Sequence, residues 1–248
     1  MTVRTTKSEI DVRAKLAELS KPTGVAGNAL SEKDTVEQQQ EFLGVGRRNQ
    51  IINGDFQISQ RGDFATGFTM IESTYWIDRW RTRVTNSING TATHALNKVR
   101  IEVNANATGS IRIDQKIEIH NSDHLSYKDM TLSALVRSNS TNARLGVYHQ
   151  GWDVRNTQSS GDGQWERLTL TFNTGSLSVG NEFSIQIGLD GVSSANVALY
   201  DGEYMEVKEV QLEFGTTASP FEHRSFGEEL ALCQRYYVML AAGADYDE

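Results

Sequence analysis

The stretch "KVRIEVNANATGSIRIDQKIEI", Lys98 to Ile119, alternates apolar and polar residues twice, with a turn-forming "NANATG" between the runs. Val99, Ile101 and Val103 share one side, and Arg100 and Glu102 the other. Ile111, Ile113, Ile117 and Ile119 repeat the pattern, with Arg112, Asp114, Lys116 and Glu118 outward. Successive strand residues point to opposite faces. Period two with one dry and one wet face therefore marks an antiparallel sheet packed on one side.

The same period extends in both directions. Leu132, Ala134 and Val136 follow it, as do Leu168, Leu170 and Phe172 against Arg167, Thr169 and Thr171. Phe183, Ile185, Ile187 and Leu189 alternate with Glu182, Ser184 and Gln186. Val210, Leu212 and Phe214 close the series. Met205 and Val207 are out of phase with Val210 and Leu212, so a bulge near Lys208 is predicted. Short strands divided by "SNSTN", "SSGDG" and "NTGSLSVGN" predict a β-sandwich over residues 49–224.

Both ends read differently. Residues 1–48 hold no Trp, Tyr or His. Thr6 to Glu9 has the form of a capping box, and Ile10, Val12, Leu16 and Leu19 supply the apolar positions of a short helix behind it. Pro22, Gly24 and Gly27 break that helix, and a second is expected from about Thr35 to Leu43. Two short helices bury little surface alone, so this segment is expected to be an attachment arm that orders on a partner. In residues 225–248, Ser225 and Glu228 form another capping box. Leu230, Cys233, Tyr236, Tyr237 and Leu240 make the stripe of a helix expected to run to Leu240, ahead of an acidic tail. The adjacent Tyr236 and Tyr237 are more than one stripe can cover on one side. The helix is therefore predicted to lie at a subunit contact, in a homotrimer.

The chain has 248 residues and a net charge of −8. An acidic chain lacks the broad Lys/Arg surface that holds a nucleic-acid backbone, so none is expected as partner. The absence of a long apolar run predicts no membrane insertion, and the N-terminus lacks the apolar region of a secretory signal. The single cysteine, Cys233, allows no internal disulfide, which fits synthesis in a reducing cytoplasm. On the apolar stripe it reads as a buried thiol.

Motifs for chemistry are sparse. The five histidines, His94, His120, His124, His149 and His223, have no zinc-type spacing, and no nucleophile elbow or P-loop occurs. No enzyme activity and no cofactor is expected. The "NGD" at Asn53–Asp55 and the Asp-Gly pairs at Asp190 and Asp201 offer oxygens for a structural Ca²⁺, and turn chemistry explains them equally. In "YWIDRW", Trp76 and Trp80 read as core, most clearly Trp80. Trp165 also reads as core, at a strand start. "YHQGWDVRN" sets Tyr148, Trp152, Asp153 and Arg155 around Gly151. A ring for a pyranose face beside groups for its hydroxyls is the composition of a glycan site, and a hairpin turn whose Trp covers a sheet edge is the alternative.

Three motifs together resemble a known family. "RRNQIINGDFQISQRG" followed by the Tyr75–Trp80 stretch resembles the opening of a jelly-roll domain of bacteriophage tail-fibre and virion proteins. "GDGQWERLTLTFNTG" is similar to a strand shared with carbohydrate-binding jelly rolls. "VQLEFGTTASPFEHRSFGEELALCQRYY" resembles the closing segment of the phage domain. The resemblance spans about residues 20–238. It implies a jelly-roll virion appendage, assembled in the bacterial cytoplasm, with other tail or head proteins as partners and host glycan as ligand. Longer relatives carry further receptor-binding material after this helix, so the expected role is a short tail fibre or fibre adaptor. A head decoration and a free carbohydrate-binding module remain alternatives.

Overall fold

The computed structural model describes residues 48–95, 97–119, 125–149, 152–154, 157–178, 182–191 and 196–239, without the side chain of Trp152. The arm positions Ile10, Val12, Leu16 and Leu19 lie outside the described residues.

Residues from Asn49 onward build an antiparallel jelly-roll sandwich. The first sheet has the order β1 (Phe68–Thr69), β4 (Gly90–Ala95), β5 (Lys98–Val103), β14 (Tyr204–Phe214), β8 (Asp129–Ser138), β11 (Trp165–Asn173). The second runs β10 (Trp152–Val154), β9 (Ala143–His149), β12 (Phe183–Leu189), β7 (Ile111–Lys116), β3 (Trp80–Val84), β2 (Thr74–Ile77). β6 (Ala107–Gly109) and β13 (Val197–Leu199) pair separately.

The first sheet obeys the sequence pattern. β5 and β11 bury alternate residues, and the expected bulge is present: the register of β14 against β8 shifts between Lys208 and Gln211. Glu209 there has φ +53°, and the shift returns Met205, Val207, Val210 and Leu212 to the core.

The second sheet departs from it. Arg112, Asp114, Ser184 and Gln186 lie on the outer face as expected, but they are buried, not wet. The reason is charge pairing across strands. Arg81 lies over Asp114 and Arg112 pairs with Asp190, so each long side chain covers its neighbours. Gly188 belongs to this crowded face: a Cβ there would be 2.2 Å from the Ile111 carbonyl oxygen.

The opening and closing motifs meet in space. Asn49 Nδ2 donates to the Val210 carbonyl at 3.0 Å, and its Oδ1 accepts from the Ile51 and Leu212 amides. Asn53, at φ +59°, accepts from the Ile58 amide and donates to the Ile58 and Asp78 carbonyls. The closing segment completes the clasp. Glu222 accepts from the Asn49 amide at 2.8 Å, Glu229 from the Asn53 amide at 2.5 Å, and Arg224 donates to the Asn49 and Ile51 carbonyls. Ile52, Ile58, Leu232 and Cys233 form a small second core with Leu230 against it.

The C-terminal helix is shorter than expected. α1 spans Phe226–Gln234, with Ser225 as N-cap accepting from the Glu228 amide. Arg235 caps its end, and the Tyr236 and Tyr237 amides both donate to the Cys233 carbonyl. Tyr236 and Tyr237 thus leave the helix stripe. Leu230 packs on this chain's own second core, and Leu240 lies outside the described residues. Trp76 and Trp80 are fully buried, and the Trp80 indole donates to the Asn53 carbonyl at 2.8 Å. Trp165 corrects the sequence reading: it is half-buried, paired with Arg137 across the strands, with Lys208 and Arg137 cations against its ring. Its phase already placed it opposite to Leu168 and Leu170.

Candidate functional site

Cross-strand pairing aligns the outer face of the second sheet into rows. Opposed residues of an antiparallel pair share a face, so each row is a line of neighbours across the strands. One row is Tyr75, Arg81, Asp114, Gln186, Gly146. Beside it runs Lys116, Ser184, Tyr148, Asp153. On the other side run Arg83, Arg112, Gly188, Arg144. Six strands at about 4.8 Å spacing make this face roughly 24 Å across.

Ion pairs organise the floor. Arg81 donates through Nε and Nη2 to the two Asp114 oxygens at 2.8 and 2.5 Å, a bidentate pair, and reaches Glu182 at 3.3 Å. Hydrogen bonding to Asp114 holds the Arg81 guanidinium further above its ordinary pKa. Arg112 donates to Asp190 at 2.5 Å, and Arg144 donates to the Asp190 carbonyl and to Gln158. Buried Ser184 Oγ and Arg112 Nε have no hydrogen-bond partner among the described residues. Around this dry floor the rim is accessible. Tyr75 is 40% exposed, and the Lys116 and Glu182 side chains are 45% and 33% exposed. The face therefore offers hydroxyl, amide, carboxylate and guanidinium groups along a line with a tyrosine toward each side.

The residues singled out in "YHQGWDVRN" separate. Tyr148 and Asp153 are opposed across β9 and β10 and share the outer face. Trp152 is opposed to His149, at the next register position, and adjacent strand positions belong to opposite faces. Arg155 lies outside the described residues. His149 is buried opposite Phe183, its Nε2 has no partner among the described residues, and burial lowers its pKa.

Sequence reading missed Tyr75, Arg81 and Asp114. Tyr75 stands out of phase with core Trp76, which is a signal for the outer face. The Arg81–Asp114 pair, joined across strands, had none. Tyr236 and Tyr237 also find partners the sequence did not suggest. Arg79 lies 3.6 Å over the Tyr236 ring and Arg61 3.8 Å over the Tyr237 ring. Burial, and a hydrogen bond to Glu118, push the Tyr236 hydroxyl up to about 12. Each ring thus has an arginine of its own chain over it, a contact that the stripe argument for a homotrimer did not include, and Tyr236 stays 36% exposed.

Of the oxygens considered for Ca²⁺, Asn53 Oδ1 accepts from the Ile58 amide, Asp55 Oδ2 from Gln57, and the Asp190 carboxylate from Arg112 and the Gly191 amide. Among the described residues no three His, Cys, Asp or Glu side chains gather as metal ligands. Cys233 is buried, and burial first, with Asp78 and Glu229 nearby, raises its thiol pKa far above the ordinary value.

No family model matches the chain, and no curated protein matches it. Among solved structures it is similar to a cyclase from Fischerella sp. TAU, at 12% identity and TM-score 0.44, over 70% of this chain and 99% of that one. It is also similar to the CBM22-2 xylan-binding domain from Paenibacillus barcinonensis Xyn10C, at 11% identity and TM-score 0.40, over 60% of this chain and 99% of that one. A third is the enzymatically active domain of bacteriophage CBA120 tailspike protein 4, at 13% identity and TM-score 0.39, over 67% of this chain and 21% of that one. The expectation of no enzyme activity is corrected here: the structures similar to this chain include a cyclase and an enzymatically active domain.

Proposed function

We propose that the outer face of the second sheet binds an extended glycan, in a jelly-roll appendage of a bacteriophage virion. The observation that carries the glycan reading is the row structure of that face. Tyr148 with Asp153 on one side and Tyr75 on the other bracket a line of hydroxyl, amide and charged groups already fixed by ion pairs. Tyrosine rings bury the apolar face of a sugar while the fixed polar groups take its hydroxyls. Donors and acceptors held in place lose little entropy on binding. A shallow face gives weak single contacts, which an appendage present in several copies on a particle would multiply.

Tyr148→Ala and Tyr75→Ala are each expected to lower affinity for a responsive oligosaccharide about tenfold, while changing unfolding free energy by less than about 1 kcal/mol. Titration calorimetry against an oligosaccharide panel measures the first and denaturation the second. Unchanged affinity in both variants would remove this face as the binding site.

The virion reading rests on the resemblance of the opening and closing motifs, which the fold joins through Asn49, Asn53, Arg224 and Glu229. Residues 1–48 are the proposed attachment arm, and a short tail fibre or fibre adaptor is the proposed place. Deleting residues 1–48 should leave β-rich circular dichroism unchanged and abolish incorporation into particles. Normal incorporation of the deletion variant would reject the arm.

A further inference from the structure

Two guanidinium groups at the edge of the proposed glycan face have no carboxylate ion-pair partner among the described residues. Arg61 lies against Tyr237 at 3.8 Å and Tyr75 at 5.6 Å. Arg79, in the turn between β2 and β3 at φ +72°, stacks on Tyr236 at 3.6 Å. Neither forms an ion pair among the described residues, although the chain holds 32 acidic residues against 24 Lys and Arg. Nearby cations are paired: Arg81 with Asp114, Arg83 with Glu72, and Arg235 with Glu118. Arg79 spends one Nη2 bond on the Lys116 carbonyl at 2.6 Å, and the Nε of both Arg61 and Arg79 is buried without an acceptor among the described residues.

Stacking explains what these arginines are ready to do. A guanidinium lying on a ring is held by its face, which leaves the in-plane N–H groups aimed sideways. With both Nε atoms buried and an Arg79 Nη2 bond taken, the donors left for an anion are the Arg61 Nη groups, whose end-on pair matches a carboxylate or phosphate, and Arg79 Nη1. The rings also hold the side chains in place, so less freedom is lost when an anion binds. The edge is continuous with the face described above, because Tyr75 is opposed to Arg81 in the first row.

We propose that Arg61 and Arg79, held by Tyr75, Tyr236 and Tyr237, form a subsite for the anionic group of an acidic saccharide. The inference rests on the glycan reading of the same face and names the class of glycan. The anion is a uronate-type carboxylate or a sugar phosphate, since the same fork accepts either.

The test is calorimetric titration of the full chain with matched oligosaccharides: neutral, uronate-containing and phosphorylated. The acidic member that fits should bind about tenfold tighter than its neutral counterpart at low salt, and the advantage should shrink as ionic strength rises. Whether uronate or phosphate gains more identifies the group. Arg61→Gln with Arg79→Gln should abolish the advantage and leave neutral binding unchanged, whereas Tyr148→Ala should weaken all three ligands. Equal binding of the neutral and acidic ligands, or an acidic preference that survives the double glutamine variant, would overturn the subsite and leave the glycan face standing. Failure of every member of the panel to bind would overturn both. Circular dichroism and thermal melting of the double variant ensure that a loss is not unfolding.

Discussion

Glu229→Ala should lower the unfolding free energy by about 3–5 kcal/mol, the cost of leaving a buried pair half-made. Glu229 sits on the first turn of α1, is almost fully buried, and accepts from the Asn53 amide and from Arg224 Nη1. Removing it leaves the buried Asn53 amide without its acceptor and takes from Arg224 one of its two carboxylates, Glu222 being the other. In a chain of this size the loss lowers the melting temperature by roughly 10 °C. Glu229→Gln keeps an oxygen for the Asn53 amide and should recover a large part of the loss. Burial raises the Glu229 pKa despite the opposing Asn53 amide and Arg224. The folded state then holds the proton more tightly than the unfolded state. As pH rises above the ordinary value of 4.5, the unfolded chain loses its proton first, so this group's contribution to stability falls until the folded pKa is passed. The stability of the native chain relative to Glu229→Gln should decline over that window. A flat difference, or an alanine variant as stable as the native chain, would mean that the clasp between the opening motif and α1 contributes little.

Asp114→Ala should cost a comparable ~3–5 kcal/mol, for a different reason. Asp114 is fully buried in the second sheet and holds Arg81 by two hydrogen bonds, with Arg83 at 3.7 Å. Without it, the carboxylate left to Arg81 among the described residues is Glu182 at 3.3 Å, on the accessible rim. The double variant Arg81→Met, Asp114→Leu removes both charges and fills the volume. It should recover most of the stability, because the desolvation cost of the pair disappears with its attraction. The two properties then separate. Both variants should lose glycan affinity if the pair is part of the binding line, although only the single variant is unstable. A stable double variant with native affinity would show that the pair only props the sheet.

Each strand's two faces were legible from residue order alone, because alternation is a property of the extended backbone and needs no partner. The phase of Val99–Val103, the bulge after Lys208 and the cap at Ser225 are local in this sense, and all are present. Trp165 and Tyr75 carried the same phase information, which their aromatic character obscured. Dryness of the second sheet's outer face was not legible. It depends on Arg81 meeting Asp114 and Arg112 meeting Asp190, contacts between segments 33 and 78 residues apart. Many cations and carboxylates in the chain could be paired on paper, and only the register of the folded sheet selects among them. The same holds for Tyr236 and Tyr237. Sequence spacing placed them on a helix stripe in search of a subunit. The end of α1 at Gln234 instead laid them against Arg79 and Arg61 of their own chain. Local geometry decided which way each strand faces, and tertiary packing decided which charges neutralise one another.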